Sequence, residues 1–164
     1  MKLATIIAAA ALAAQPSIAQ TTQHPAGHQA MSGQTADGQA VKDVLARYHS
    51  AIERLDAKGT EQLFAEDSAV FETGGSEGTY ANYLSHHLGP ELEEFKSFKF
   101  SDYKVDVRLE GPVALATESY KYRIETKTGV VAERIGITTS VLKKIDGQWK
   151  ILVSHNSGRK PKGS

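Results

Sequence analysis

Apolar residues recur at three- and four-residue steps from Val41 through Val44, Leu45, Tyr48, Ile52 and Leu55. That spacing paints one apolar stripe on a helix and predicts it over Val41–Ala57. Lys58-Gly59 should end it, with the glycine in a left-handed cap. Thr60 can then N-cap a short second helix through Leu63-Phe64. Ala69-Val70-Phe71 reads as a brief strand stopped by Gly74-Gly75. Thr79 should cap a third helix carrying Tyr80, Tyr83, Leu84, His87 and Leu88. Gly89-Pro90 should interrupt that helix, with Glu91 to Phe95 restarting at an angle because proline suits a first helical turn.

Beyond Ser97 the period changes from helical to alternating. Lys99 to Leu109 places Tyr103, Val105, Val107 and Leu109 on one side, and Glu110-Gly111-Pro112 turns the chain. Ala114, Ala116, Glu118, Tyr120, Tyr122 and Ile124 share one face of the next strand, 113–126. Lys127-Thr128-Gly129 is a hairpin signal. Val130 to Lys144, the Asp146-Gly147 turn and Trp149 to Ser157 complete the pattern. Short turns between these strands predict antiparallel neighbours. The expected class is α+β, with about three N-terminal helices packed on a curved, mainly antiparallel sheet.

The region before Val41 divides in two. Lys2 precedes an apolar run from Leu3 to Ala14, then Gln15-Pro16 breaks it and Ser17-Ile18-Ala19 offers small residues for cleavage. This is the pattern of a secretory signal peptide over residues 1–19. The run is too short to cross roughly 30 Å of hydrocarbon, so no membrane segment is expected after cleavage. The expected location is periplasmic or secreted. Residues 20–40 are rich in Gln, Thr, Gly, Ala and His and almost lack large apolar side chains, which predicts a flexible tether. The domain is expected over 41–160, followed by a short tail, 161–164.

Export suggests an oxidising compartment, yet the chain has no cysteine, so no disulfide and no thiol nucleophile is available. Without Lys2 the chain carries 18 basic and 19 acidic residues, which gives no electrostatic reason to bind nucleic acid. Gly74-Gly75-Ser76-Glu77-Gly78 lacks the lysine and following hydroxyl of a phosphate loop and is read as a rim loop. His24, His28 and Met31 are ligand types that suit copper, but three such groups in a tether read more simply as linker. No cofactor and no metal site is expected.

The order of elements resembles the nuclear-transport-factor-2-like superfamily, in particular its SnoaL-like and ketosteroid-isomerase-like branches. The resemblance is carried by the Val41–Ala57 helix, Leu63-Phe64-Ala65-Glu66-Asp67 leading to Val70-Phe71, the Tyr80-to-His87 helix, and Asp146-Gly147-Gln148-Trp149-Lys150-Ile151. It implies a cone with a pocket between sheet and helices, and a homodimer. The superfamily includes isomerases, cyclases, dehydratases and non-catalytic binding modules; its catalytic carboxylates have no residue-by-residue match here.

Candidate chemistry lies on the inward faces. Glu118 follows Ala114 and Ala116, so its carboxylate would face space left by small residues, either as a general base or in an ion pair with Arg134. His87, one turn after Tyr83, is the other candidate acid or base. Tyr83, Tyr120 and His155 are candidate ligand-binding donors to an oxyanion, with Arg134 beside them. His155 is placed inward because Trp149, Ile151, Val153 and Ser157 share its strand parity. Three functions stand open. One is an exported isomerase, cyclase or dehydratase acting on an apolar carbonyl compound. The second is a non-catalytic dimeric association or carrier module, and the third a periplasmic metal-handling accessory.

Overall fold

The computed structural model describes residues 26–162, with side chains from Thr35 onward. The expected signal peptide over residues 1–19, His24, the last two residues and the side chains of His28 and Met31 lie outside the described residues.

Helix α1 spans Ala26–Glu53 and begins well before the apolar stripe, inside the segment expected as tether. Asp37 explains part of the extension. Its carboxylate accepts from Trp149 Nε1 at 3.0 Å and from Lys144 Nζ at 2.7 Å, tying the helix to the far end of the sheet. The helix also ends earlier than Gly59. Leu55 takes φ of 57°, its N–H bonds the Ile52 carbonyl, and Asp56 N–H reaches back to Ala51. This is a Schellman ending built on leucine, which usually favours glycine. Leu55 tolerates it because its side chain packs against the core cluster. Gly59, also left-handed, instead leads into a single 3₁₀ turn, Thr60–Leu63. Thr60 provides no cap to this turn; its hydroxyl bonds the Ala57 carbonyl and Tyr80 Oη. The expected second helix is therefore only a turn.

Strand β1 (Phe64–Glu72) starts earlier than Ala69, and the glycine-rich segment after it forms β2 (Gly75–Gly78) rather than a loop. The next helix, α2, is continuous over 80–94: α-helical Tyr80–Tyr83, π-helical Leu84–Leu88 and α-helical Gly89–Glu94. Thr79 caps it as expected, accepting from Asn82 N–H at 3.3 Å. Pro90 does not break it. Gly89 N–H bonds Leu84 O, the wider π spacing, and a Cβ on Gly89 would stand 2.6 Å from that oxygen. The extra residue of a π turn absorbs the proline, and glycine permits the close approach. The domain thus has two helices, not three.

Strands β3 (Phe95–Glu110), β4 (Val113–Thr126), β5 (Val131–Ile145) and β6 (Gln148–Arg159) follow. The curved six-stranded sheet has the order β2-β1-β6-β5-β4-β3. It is mixed, because β1 runs parallel to β6 while the other neighbours are antiparallel. A bulge in β6 changes which residues face the helices: Ile151 pairs Leu142, but Val153 pairs Val141. The extra residue shifts the alternation by one. Trp149 and Ile151 point inward before it, Ser154 and Asn156 after it, and His155 is exposed. The expectation that His155 lies on the inner face is corrected accordingly.

Both helices close the inner face. Val41, Leu45 and Ile52 of α1 and Tyr80, Leu88 and Leu92 of α2 share one core with Ala114, Ala116, Leu142, Trp149 and Ile151. Phe64 and Tyr80 stack with centroids 3.6 Å apart, and Tyr48 meets both rings edge-on. Two tyrosines of β4 lie flat across neighbouring strands. Tyr120 covers Gly136, where a Cβ would come within 2.2 Å of the ring, and Tyr122 Oη reaches Gly158, where it would be 2.5 Å away.

Gly136→Ala therefore forces Tyr120 off its strand. Overpacking of this kind costs roughly 1–3 kcal/mol. Chemical denaturation should show a loss in that range, whereas an unchanged midpoint would mean the ring does not need the glycine.

Candidate functional site

The inner face holds a cavity of about 260 Å³ between α1, α2, the start of β3 and the end of β4. Its walls are largely aromatic and aliphatic, with Phe95, Phe98, Phe100, Tyr122, Leu88 and Leu92 among them. Phe98 and Tyr122 stack with centroids 5.4 Å apart at 10°. The polar groups in the wall are Glu72, Tyr83, Glu91, Asn156 and Tyr48.

Glu72, the last residue of β1, is the centre of that polar end. Tyr83 donates to its Oε1 at 2.6 Å, and Asn156 Nδ2 donates to the same oxygen at 3.2 Å. Glu72 and Asn156 are register partners in the parallel β1–β6 pair, so the sheet itself sets this contact. Thr138 donates its hydroxyl hydrogen to Asn156 Oδ1 at 2.8 Å. Tyr120, 2.7 Å from that hydroxyl, must then be the donor, since a threonine has one hydrogen to give. The chain runs from Tyr120 through Thr138 and Asn156 to Glu72. Burial holds both tyrosines protonated: Tyr120 is pushed up to about 12, and Tyr83 is driven well above the ordinary phenol range, with Tyr48 and Glu72 adding to it.

The other oxygen of Glu72 faces His87. His87 Nε2 lies 3.4 Å from Glu72 Oε2 and 3.4 Å from Glu91 Oε1, while Nδ1 lies 3.3 Å from Glu77 Oε2. Both ring nitrogens face carboxylates, and only the imidazolium can donate from both. Partial burial lowers the His87 pKa, but the Glu77 hydrogen bond and the charges of Glu72, Glu91 and Glu77 outweigh it and raise it overall. Burial and the Glu72 charge in turn raise the Glu91 carboxyl, against the lowering effect of His87. His87 comes from the π turn of α2, Glu72 from β1 and Glu77 from β2, so three elements meet at the cavity rim.

A second polar cluster surrounds Glu118, which is 1% exposed. His49 Nε2 of α1 lies 3.0 Å from Glu118 Oε2, and Tyr103 of β3 donates to the same oxygen at 2.7 Å. Phe100 stacks on the His49 ring at 4.3 Å, and Tyr120 stands edge-on to it at 5.5 Å. Glu118 does not pair with Arg134. The β4–β5 register sets Thr138 opposite Glu118 and Tyr122 opposite Arg134, whose Nη1 donates to the Glu133 carbonyl.

Of the residues expected in one site, Tyr83 lines the cavity and His87 stands at its rim. Glu118 belongs to the separate His49 cluster, away from His87's partners. Tyr120 sits between the clusters with its proton committed to Thr138. His155 faces outward beside Phe71, with ring centroids 6.3 Å apart. Glu72, Asn156, His49 and Tyr103 were not expected. His49 lies one residue after Tyr48 on the apolar stripe, and Glu72 ends a strand whose predicted length stopped just short of it. Among the described residues, no three His, Cys, Asp or Glu side chains form a group suited to a metal ion.

The sequence matches the SnoaL-like domain family over residues 41–159. No curated protein matches it. Among solved structures, a nuclear-transport-factor-2-like superfamily protein from Salmonella enterica serovar Typhimurium superposes with a TM-score of 0.70 at 20% identity, covering 79% of this chain and 96% of its own. A proposed ketosteroid isomerase from Shewanella frigidimarina gives 0.64 at 26% identity, covering 72% and 94%. A proposed scytalone dehydratase from Novosphingobium aromaticivorans gives 0.67 at 16% identity, covering 82% and 98%.

The carboxylate clamp makes stability depend on the His87 charge. Because the folded state raises this pKa above its ordinary 6.5, the stabilisation is complete below that value and lost as pH rises through the folded value. The melting-temperature advantage of the wild type over His87→Gln should be widest near about pH 6 and shrink towards about pH 9. A constant gap would show that the clamp does not favour the imidazolium.

Proposed function

We propose, from the premise that the chain belongs to the SnoaL-like domain family of the nuclear-transport-factor-2-like superfamily, that its aromatic cavity binds a small apolar compound and that Glu72 moves a proton on it. The observation that carries this reading is the asymmetric fixing of Glu72. Tyr83 and Asn156 hold Oε1, leaving Oε2 toward His87 at the cavity rim. A carboxylate oriented in this way is a general base whose position is set before substrate arrives. His87, 3.4 Å from the same oxygen, can return a proton or pass one to solvent. Abstraction and return on one compound is isomerisation; abstraction with protonation of a departing hydroxyl is dehydration. The oxyanion role expected of the tyrosines finds less support, because Tyr83 and Tyr120 already donate within the hydrogen-bond chain.

The N-terminal pattern of Lys2 and the apolar run after it supports an exported protein, acting in the periplasm or outside the cell.

A second reading is an association or carrier module, on which the outer sheet face bears. Leu115, Val141 and Val153 form one row, Thr117, Thr139, His155 and Phe71 the next, and Ser119, Ile137 and Ser157 a third. Across β1, β4, β5 and β6 these rows hold no Lys, Arg, Asp or Glu; on β3 they run on into Arg108, Asp106 and Lys104, and Ile137 is 50% exposed. We read this face as a homodimer interface, compatible with either reading of the cavity.

Native mass spectrometry of protein taken from the producing cell should return a retained small molecule. Resupplied to the enzyme, that compound should turn over about 100-fold or more slowly with Glu72→Gln, the scale of a lost general base. Equal turnover would remove Glu72 from the chemistry, and no turnover by the wild type would favour the carrier. For the interface, Ile137→Asp should convert a dimer to a monomer in sedimentation analysis; a wild type that sediments as a monomer would rule the dimer out.

A further inference from the structure

We infer that the cavity selects an organic cation, an apolar compound carrying a protonated amine or quaternary ammonium group at its Glu72–Glu91 end. The inference rests on the reading of this cavity as a ligand site and adds the charge of the ligand.

The cavity wall contains two carboxylates and neither lysine nor arginine. Glu77 brings a third carboxylate to the rim through His87. Among the described residues, the one cation in contact with these groups is His87, and its two nitrogens are divided among all three. Written as carboxylates, Glu72, Glu77 and Glu91 outnumber a fully protonated His87 by two. Arg134, opposite Tyr122, donates to the Glu133 carbonyl; its charge reaches the Tyr122 phenol, but no ion pair joins it to the three carboxylates. The hydrogen bonds from Tyr83 and Asn156 stabilise Glu72 without neutralising it.

Beyond the carboxylates the wall is aromatic, with Phe95, Phe98, Phe100 and Tyr122 around the same space. Aromatic faces carry a negative quadrupole that attracts cations, and the attraction grows where water is excluded. The aromatic wall and the uncompensated carboxylates thus favour the same ligand charge. A neutral apolar ligand would use the wall but leave the excess charge unanswered. An anionic ligand, or an enolate formed on a neutral one, would add to it. The volume of about 260 Å³ lies just below the roughly 300–1,000 Å³ of drug-sized sites, which fits a compound of one or two rings.

The test titrates three benzyl probes, two of them of one shape, into the full chain, read by shifts of aromatic side-chain resonances in NMR. Benzyltrimethylammonium is the cation, neopentylbenzene its neutral isostere and phenylacetate the anion. We expect the cation to bind at least ten-fold more tightly than the isostere, phenylacetate not to bind, and the preference to disappear in Glu72→Gln/Glu91→Gln while neopentylbenzene still binds. Equal or tighter binding of neopentylbenzene to the wild type would overturn the charge preference and leave the cavity reading intact. Binding of none of the probes would overturn both. Cation binding that survives in the double variant with its preference intact would place the cation elsewhere and overturn the assignment. The wild-type comparison stands without the variants, so a misfolded double variant leaves it decisive.

Discussion

Helix α1 lying across the inner face of the sheet is the contact on which the remaining structure depends. Ala114 and Ala116 present little side chain on that face, and Val41, Leu45 and Ile52 are buried in the same core. Once the helix is seated there, the inner-face polar groups lose water and must be paired within the protein. Glu118 is the severest case. Its carboxylate is buried, and the helix supplies the partner, His49, while the sheet supplies Tyr103. At the other end Asp37 ties the same helix to Trp149 and Lys144. Without a disulfide, helix-on-sheet packing and these polar anchors must hold the domain.

The same desolvation produces two polar systems of different character. Around Glu118 a histidine and a phenol converge on one carboxylate oxygen beneath a stacked Phe100 ring, a closed arrangement suited to holding helix and sheet together. Around Glu72 one carboxylate oxygen is held by Tyr83 and Asn156 and the other faces His87, beside a cavity. Tyr120 belongs to both, with its ring against His49 and its hydroxyl in the chain that reaches Glu72. A change at either carboxylate should therefore be felt through that ring. The π turn of α2 serves the open system, since it carries Tyr83's helix past Pro90 without a break and sets His87 among three carboxylates.

Much of the framework was legible because it repeats. The α1 stripe, the inward set Ala114, Ala116 and Glu118 on β4, the Thr79 cap and the hairpin turns all follow from periodicity or local turn chemistry. The failures have local physical causes too. Leu55 ended α1 in a conformation that favours glycine, so the expected stop at Gly59 came too late. Pro90 was accommodated by a π turn, which no propensity scale signals. One extra residue in β6 turned His155 outward and Asn156 inward. The parallel pairing of β1 with β6 joins segments about 80 residues apart in the chain, and such pairing leaves no local trace.

The α+β class, the core stripe of α1, the inward position of Glu118 and the resemblance to a superfamily were all legible in the chain, because each depends on residues near one another in it or on a pattern that recurs. Tertiary structure alone decided which polar side chains meet. Glu72 finds Asn156 through a parallel strand pair, Glu118 finds His49 through helix docking, and His87 finds three carboxylates through a π turn. Spacing along the chain carries no information about partners across a sheet. Sequence parity pointed inward at Glu118, and the folded sheet adds Glu72 in the wall of an aromatic cavity that Glu118 does not line.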